Sequence, residues 1–139
     1  MTSAPNPIVI DTSVLISSAL FPNSTPDQAT ILAFELFDVV VSAALLDELL
    51  DALTRPKHEQ YASIAMRLTY IDAFKDNAEA IEITTSIKAC RDANDDKVLE
   101  LAVSAKAPII ISGDKDLLTM SPFRCIEILS PRQYLAEFS

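Results

Sequence analysis

Acidic side chains follow short apolar runs at separate places in the sequence. Asp11 comes directly after Ile8-Val9-Ile10, and Asp114 and Asp116 follow the run from Pro108 to Ile111. Apolar, β-branched runs of this length are typical of buried strands. Carboxylates that meet beyond the ends of such strands could bind Mg²⁺ or Mn²⁺, because sites made only of oxygen ligands select hard cations. The pattern therefore predicts a metal site that activates water.

More acids lie near the beginnings of two predicted helices. Glu48 is one to two turns into the helix after the second strand, and Asp92, Asp95 and Asp96 crowd the beginning of the helix before Ile109. In a parallel sheet these places share one edge with the strand-end acids. Carboxylates within about 4–6 Å repel one another and raise each other's pKa, so a bound cation would stabilise the cluster.

Ordinary structural roles stay open for the acids. Asp11 precedes Thr-Ser and could simply be a helix N-cap. At least one of Asp92, Asp95 and Asp96 is expected to be a cap. Asp114 could be a turn residue. Asp116 could be an acid in the first turn of a helix, where it complements the helix dipole.

The helix after the second strand offers two acids in equivalent places. Asp47 and Glu48 flank its leucine stripe almost symmetrically. Helical periodicity therefore does not choose between them.

The elements that must position these acids alternate between strands and helices. The predicted strands are residues 8–10, 39–41, 108–111 and 126–129. The predicted helices are residues 12–20, 25–36, 42–55, 58–80, 94 or 95 to about 103, 114–120, and 130 onward. Residues 81–83 are either a short edge strand or the end of the preceding helix. Continuous apolar strands between amphipathic helices predict an α/β fold, with a central parallel sheet covered on both faces.

Composition limits the class of protein. The chain has 139 residues, half of them hydrophobic, and one glycine, which fits one domain over residues 1–139 without a flexible linker. The apolar runs are too short to cross a bilayer, and residues 1–7 lack a basic leader. We therefore expect a cytoplasmic protein.

Charge and cysteine content exclude other classes. The net charge is −9, which argues against a simple nucleic-acid-binding module but not against a metal nuclease, because bound cations reverse the local charge. Cys90 and Cys125 form no Cys-x-x-Cys pair and His58 is the single histidine, so a zinc site is not expected. We expect two reduced, partly buried thiols.

Five segments in order resemble the motifs of PIN domains. They are residues 11–15, 41–49, 91–102, 111–118 and 128–135, which together span nearly the whole chain. The nearest likeness is to the toxin components of type II toxin–antitoxin systems, relatives of VapC-type ribonucleases. The resemblance implies a flavodoxin-like three-layer α/β/α fold and a Mg²⁺- or Mn²⁺-dependent endoribonuclease. It also implies a homodimer inhibited by a cognate antitoxin.

The resemblance assigns roles residue by residue, and it favours Glu48 over Asp47. It implies that the catalytic acids are Asp11, Glu48, Asp96 and Asp114. The metal ligands would be Asp11, Asp96, Asp114 and Asp116.

Supporting and substrate-binding roles are expected nearby. Ser13 stands where the family often has Asn and keeps a polar group that can orient Asp11; the other supporting residues are Thr12 and Asp92. An acidic protein needs basic side chains at the rim of its site to hold RNA. The basic residues beside the third and fourth motifs are Arg91, Lys97 and Lys115, although such exposed residues are commonly only solvated surface.

Two other classes compete with this interpretation. A haloacid-dehalogenase-like phosphatase needs a second Asp two residues after its nucleophile, and a receiver domain needs a Lys after a later strand. Position 13 is Ser and the third strong strand ends in Ser-Gly-Asp, so neither pattern is met. The other alternative is a catalytically silent PIN-fold binding protein.

Overall fold

Five short parallel strands form one sheet in the computed structural model, which describes residues 4–139. In chain order they are β1 (Pro7–Ile10), β2 (Asp38–Val41), β3 (Glu79–Ala80), β4 (Ile109–Ile111) and β5 (Glu127–Leu129). Across the sheet the order is β3-β2-β1-β4-β5. The predicted parallel α/β fold is confirmed. Residues 1–3, part of the segment inspected for a leader, lie outside the described residues.

Seven α-helices lie between and after the strands in the described part of the chain. They are α1 (Thr12–Leu20), α2 (Thr25–Leu36), α3 (Ala43–Leu53), α4 (Ile64–Asn77), α5 (Asp96–Ala105), α6 (Lys115–Thr119) and α7 (Pro131–Phe138). Short 3₁₀ turns occupy Pro56–Gln60 and Ala93–Asp95. Within residues 4–139, no helix has the length and apolar character that crossing a bilayer requires.

Side-chain caps fix where several helices begin. The hydroxyls of Ser24, Ser42 and Ser63 accept hydrogen bonds from backbone N–H groups in the first turns of α2, α3 and α4. Ser130 and Gln133 form a reciprocal capping box at α7. Each cap satisfies N–H groups that have no partner inside the helix. The helices α2, α3 and α7 therefore begin close to where the sequence predicts.

The strands that follow β1 in the chain lie on both sides of it: β2 and β3 on one side, β4 and β5 on the other. Ile8 pairs with Val39 of β2 on one side, and Ile10 pairs with Ile111 of β4 on the other. A crevice opens beyond the carboxyl ends of the strands at such a switch point. The residues that follow β1 and β4 are therefore the ones that the topology brings together.

The apolar strand residues form the centre of the core. Ile8, Val9, Ile110 and Ile111 are completely buried, because helices cover both faces of the sheet. Burial on both faces explains why these strands read as continuous apolar runs rather than as alternating patterns. The core supplies a rigid base for the loops at the carboxyl edge.

The region between residues 58 and 83 differs from its prediction. The long helix is interrupted, since a 3₁₀ turn ends at Gln60 and α4 begins only at Ile64. The edge strand precedes residues 81–83: Val41, the last residue of β2, pairs with Ala80. One further hydrogen bond, from Ile81 N–H to Val41 O, ends the pairing. The shortness of β2 therefore sets where β3 ends.

A buried arginine joins the end of α3 to α4. The side chain of Arg67 is 2% exposed and donates to three carbonyl oxygens: Leu53 at 2.7 Å, and Arg55 and Ala62 at 3.0 Å each. Its remaining terminal nitrogen lies 2.6 Å from Glu59 Oε2. Arg67 thereby satisfies the carbonyl of Leu53, the last residue of α3, and also binds two carbonyls between α3 and α4.

We predict that Arg67→Met lowers the free energy of unfolding by at least about 2 kcal/mol, because each buried acceptor left without a partner costs about 1–3 kcal/mol. Urea denaturation measures the change. The control is Arg55→Gln, which breaks the exposed 2.9 Å pair with Asp51 and should cost less than about 1 kcal/mol. Equal losses in the two variants would contradict the role of Arg67.

Candidate active site

A cleft of about 1250 Å³ opens beyond the carboxyl ends of β1, β2 and β4. Four of the predicted site acids line it: Asp11, Glu48, Asp92 and Asp114. Asp47, Asp51 and Asp95 line it as well. The cleft lies where the switch point places a ligand crevice.

Asp11 is the most buried acid of the cleft. It is 6% exposed, and its Oδ2 accepts a 2.7 Å hydrogen bond from Ser112 Oγ and a longer one of 3.3 Å from Ser13 Oγ. It occupies the N-cap position of α1, but its carboxylate makes no capping bond. Burial raises the pKa of Asp11, the two serine hydroxyls lower it, and the nearby Glu48 and Asp114 raise it. The carboxylate thus faces the cleft rather than capping the helix.

Glu48 is tied to both sides of the cleft. Thr12 Oγ1 donates to Glu48 Oε1 at 2.5 Å, and Lys97 Nζ lies 3.7 Å from its Oε2. Asp47 also lines the cleft but is exposed. These contacts favour Glu48, which the helical periodicity did not separate from Asp47.

Ser112 connects the acid after β1 with the acid after β4. It is completely buried, and its hydroxyl donates to Asp11 while accepting a 3.0 Å bond from Asp114 N–H. Asp114 in turn uses Oδ1 to accept from Asp116 N–H at 2.8 Å and Leu117 N–H at 3.3 Å. Asp114 therefore caps α6 as well as lining the cleft. The side chain of Asp116 lies outside the cleft lining.

The two adjacent acids at the beginning of α5 have different surroundings. Asp96 is buried, and its Oδ1 accepts from Ala89 N–H at 3.0 Å and Cys90 N–H at 2.8 Å, which lowers its pKa. Asp95 lines the cleft, whereas Asp96 does not. Burial, followed by the charges of Asp114 and Asp11, raises the pKa of Asp95 to about 6.

Sequence motifs singled out Asp96 and passed over Asp95. The crowding of three acids at residues 92–96 was a signal that both deserved equal weight. Asp92, the supporting candidate, caps the 3₁₀ turn before α5 through a 3.0 Å bond from Asn94 N–H and also lines the cleft.

Three basic side chains line the cleft, and only one of them was predicted. Lys97 was predicted, and Arg55 and Arg132 were not. Arg132 follows β5 at the same edge of the sheet, which is the signal that could have identified it. The predicted Arg91 and Lys115 are exposed and lie outside the cleft lining.

Both cysteines are free thiols. Cys90 is partly buried, as predicted, and burial together with nearby Asp96 raises its pKa to about 12. The prediction of partial burial is wrong for Cys125, which is exposed on the loop before β5. Arg124 and Cys125 have positive φ angles and form the turn between Phe123 and Ile126, whose backbones pair.

Comparison with known proteins identifies the family. Residues 7–116 match the family model of the PIN domain. The chain belongs to the PIN-domain family. It is 32% identical to uncharacterized protein MJ1680 of Methanocaldococcus jannaschii, over 94% of this chain and 90% of that protein. PIN domains are generally nucleases.

Solved structures share the PIN fold with this chain. VapBC2 from Rickettsia felis, solved bound to a DNA fragment from its promoter, aligns with a TM-score of 0.63 at 10% identity. That alignment covers 89% of this chain and 98% of the other. FitAcB from Neisseria gonorrhoeae aligns with a TM-score of 0.54 at 16% identity, over 90% of this chain and 98% of the other. At these identities the similarity extends to the fold.

The raised pKa of Asp95 predicts how the stability of this PIN domain depends on pH. Its folded pKa is about 6 against an ordinary 3.8, so the folded state holds more protons between these values. Stability that depends on Asp95 must therefore fall as pH rises across this window. Melting curves in EDTA from pH 4 to 8 should show this fall in the parent and a smaller one in Asp95→Asn. Parallel curves would contradict the assignment.

Proposed function

We propose that the protein is a metal-dependent endoribonuclease and the toxin of a type II toxin–antitoxin pair. The observation that carries this proposal is the convergence of carboxylates from separate segments at the switch point of a PIN-family sheet. Asp11, Glu48, Asp95 and Asp114 come from four different elements or loops and line one cleft. Such a charge cluster in a cleft is typical of a functional site rather than of a structural one.

The chemistry of the donor set fits Mg²⁺ or Mn²⁺. Every acidic donor is a carboxylate oxygen, and the pKa values of Asp11 and Asp95 are raised in part by neighbouring carboxylates, which a cation would neutralise. Within residues 4–139, no three acidic, histidine or cysteine side chains are already arranged to hold an ion together. Mg²⁺ nevertheless commonly binds one or two carboxylates and keeps several waters, so a preformed cage is not required.

The residues of the cleft would hold and orient the reacting groups. A bound divalent cation supplies an activated water and neutralises the charge that develops on the phosphate. Asp11 and Asp114 are the candidates to contact the cation. The resemblance to the family motif adds Asp116, whose side chain would have to turn toward the cleft to reach the cation. Ser112 holds the segments that carry Asp11 and Asp114 close together. Thr12 orients the Glu48 carboxylate in the same cleft.

RNA binding by this acidic chain needs basic side chains at the rim of the cleft. Lys97 is paired with Glu48, and Arg55 is paired with Asp51. Within the described residues, Arg132 makes no ion pair with any carboxylate, although it lines the cleft. Arg132 is therefore the best-placed side chain to bind an RNA phosphate, with Lys97 as a second contact. Arg91 and Lys115 stay candidates outside the lining.

The isosteric substitution Asp11→Asn, which removes the negative charge, tests the catalytic proposal. With Mn²⁺ present it should reduce cleavage of single-stranded RNA by more than the roughly 10–100-fold that loss of an outer-shell partner costs. RNA binding by the same variant should persist, and EDTA should abolish cleavage by the parent. A gel-based cleavage assay with a filter-binding assay measures both. Cleavage that survives EDTA and the substitution would contradict the proposal, and a parent without activity under any metal would favour the silent binding protein.

A second test addresses the route of the RNA. Arg132→Gln should weaken RNA binding across sequences and reduce the slope of log K against log salt by about 0.7, the value for one single-strand phosphate contact. Arg124→Gln is the matched control, because Arg124 is an exposed arginine beside a different pocket, near Lys106 and Pro108. An equal effect in both variants would show that only net charge matters.

An acid-rimmed apolar groove supports an antitoxin partner. A groove of about 530 Å³ is lined by Ile31, Phe34 and Phe74, with Asp27 and Glu35 at its rim and no basic side chain of residues 4–139. The chemistry suits a segment with apolar residues flanked by Lys or Arg. The DNA-bound complex from Rickettsia felis is consistent with this partner class. Such a pair would act in the cytoplasm.

A toxin of this kind should have a cognate antitoxin encoded by a neighbouring gene; co-expression of that antitoxin should inhibit cleavage, and Ile31→Lys should weaken its binding. This substitution places a positive charge where the groove is expected to receive one from the partner. Met66→Lys is the control, since Met66 is a comparably exposed apolar residue (60% against 51%) outside the groove. Isothermal titration calorimetry compares them, and equal affinities would contradict the proposed surface.

A homodimer is also part of the proposal. Phe21 and Tyr61 are 43% and 53% exposed and meet edge to face at 5.0 Å between ring centroids. Aromatic residues are enriched in protein interfaces, so this exposed pair is a candidate contact between two copies of the chain. Sedimentation equilibrium measures the association, and a monomer at every concentration would contradict it.

A further inference from the structure

One face of α5 holds the extended segment before it. The segment from Thr84 to Cys90 has no regular secondary structure. Its backbone N–H groups are instead bound by α5 side chains: Thr84 N–H by Ser104 Oγ at 3.0 Å, and Ile87 N–H by Glu100 Oε2 at 2.9 Å. Ala89 and Cys90 complete the series on Asp96.

The three acceptors of this series lie one helical turn apart. Asp96, Glu100 and Ser104 occupy positions i, i+4 and i+8, which share one face of a helix. Asp96 is thus the first member of a structural row. Its two backbone N–H donors stabilise the charged carboxylate without any ligand and outweigh the effect of its burial, which acts in the opposite direction.

Asp95 belongs to a different face. Neighbouring residues of a helix diverge by about 100°, so side chains at positions 95 and 96 do not point to one place. Asp95 lines the cleft together with Asp11 and Asp114, whereas the row that begins at Asp96 faces the extended segment. Asp95 makes no side-chain capping bond at α5.

We infer that Asp95, rather than Asp96, is the carboxylate that the beginning of α5 contributes to the cation site, and that Asp96 is a positioning residue. Asp96 acts by anchoring residues 89–90 and so fixing the orientation of the first turn of α5. This inference rests on the proposed metal-dependent function. It departs from the assignment that motif spacing alone gives.

Three isosteric variants separate the two roles. Each of Asp95→Asn, Asp96→Asn and Glu100→Gln removes one charge and keeps an oxygen that can accept a hydrogen bond. Glu100→Gln is the matched control, since it alters the structural row without approaching the cleft. Calorimetric titration with Mn²⁺ alone and thermal melting in EDTA are measured for all three and for the parent.

Asp95→Asn is expected to change Mn²⁺ affinity and melting temperature differently from the other two variants. Asp95→Asn should weaken Mn²⁺ binding at least about tenfold, as loss of even an outer-shell partner does, and should melt above the parent in EDTA because repulsion is relieved. Asp96→Asn and Glu100→Gln should bind Mn²⁺ nearly as the parent does. Both should melt below it, because hydrogen bonds to a neutral acceptor are weaker than those to a carboxylate.

Two outcomes overturn the inference without touching the proposed function. One is loss of Mn²⁺ binding in Asp96→Asn while Asp95→Asn still binds, and the other is an equal loss in both. A parent that binds no Mn²⁺ overturns the metal-dependent function itself, and the inference with it. Circular dichroism confirms that each variant is folded before it is scored.

Discussion

Like charges brought together at one edge of the sheet are the constraint on which the rest of this structure depends. The parallel topology ends β1, β2 and β4 at a common edge, and acids follow each of them. Burial and, to a smaller extent, their mutual repulsion raise the pKa of Asp11 and of Asp95. Hydroxyl groups offset part of this cost: Ser112 donates to Asp11, and Thr12 donates to Glu48. The remaining cost is what a bound cation would remove.

The same constraint explains how the supporting residues are distributed. Ser112 is completely buried and bonded to two segments, so the two acids that it joins cannot move independently. The positive charges that line the cleft are on Arg55, Lys97 and Arg132, and the first two are paired with Asp51 and Glu48. A net charge of −9 repels RNA at long range. Local cations and a bound metal are therefore the means by which such a surface could hold a phosphate.

Much of this arrangement could be predicted from the sequence because it depends on local patterns. Apolar runs bounded by polar residues placed β1 and β4, serine caps placed α3 and α7, and the parallel topology then placed Asp11 and Asp114 at one edge. Features that depend on tertiary contacts could not be read in this way. From the sequence, residues 81–83 could be either a short edge strand or the end of a helix; the contacts with the last residue of β2 show that the pairing ends just before them. Arg67 is buried because distant carbonyls need donors, which no spacing reveals. Motif spacing located the acids before α5 but not the directions of their side chains, which separate Asp95 from Asp96.

The central claim is that the carboxyl edge of the sheet is a cation site formed by the crowded acids. Anomalous scattering from crystals soaked in Mn²⁺ tests it most directly, because the difference peak locates the ion without reference to activity. The account predicts a peak in the cleft, within coordinating distance of a carboxylate oxygen of Asp11, Asp95 or Asp114. A peak elsewhere on the chain, or none in the cleft at saturating Mn²⁺, would contradict it.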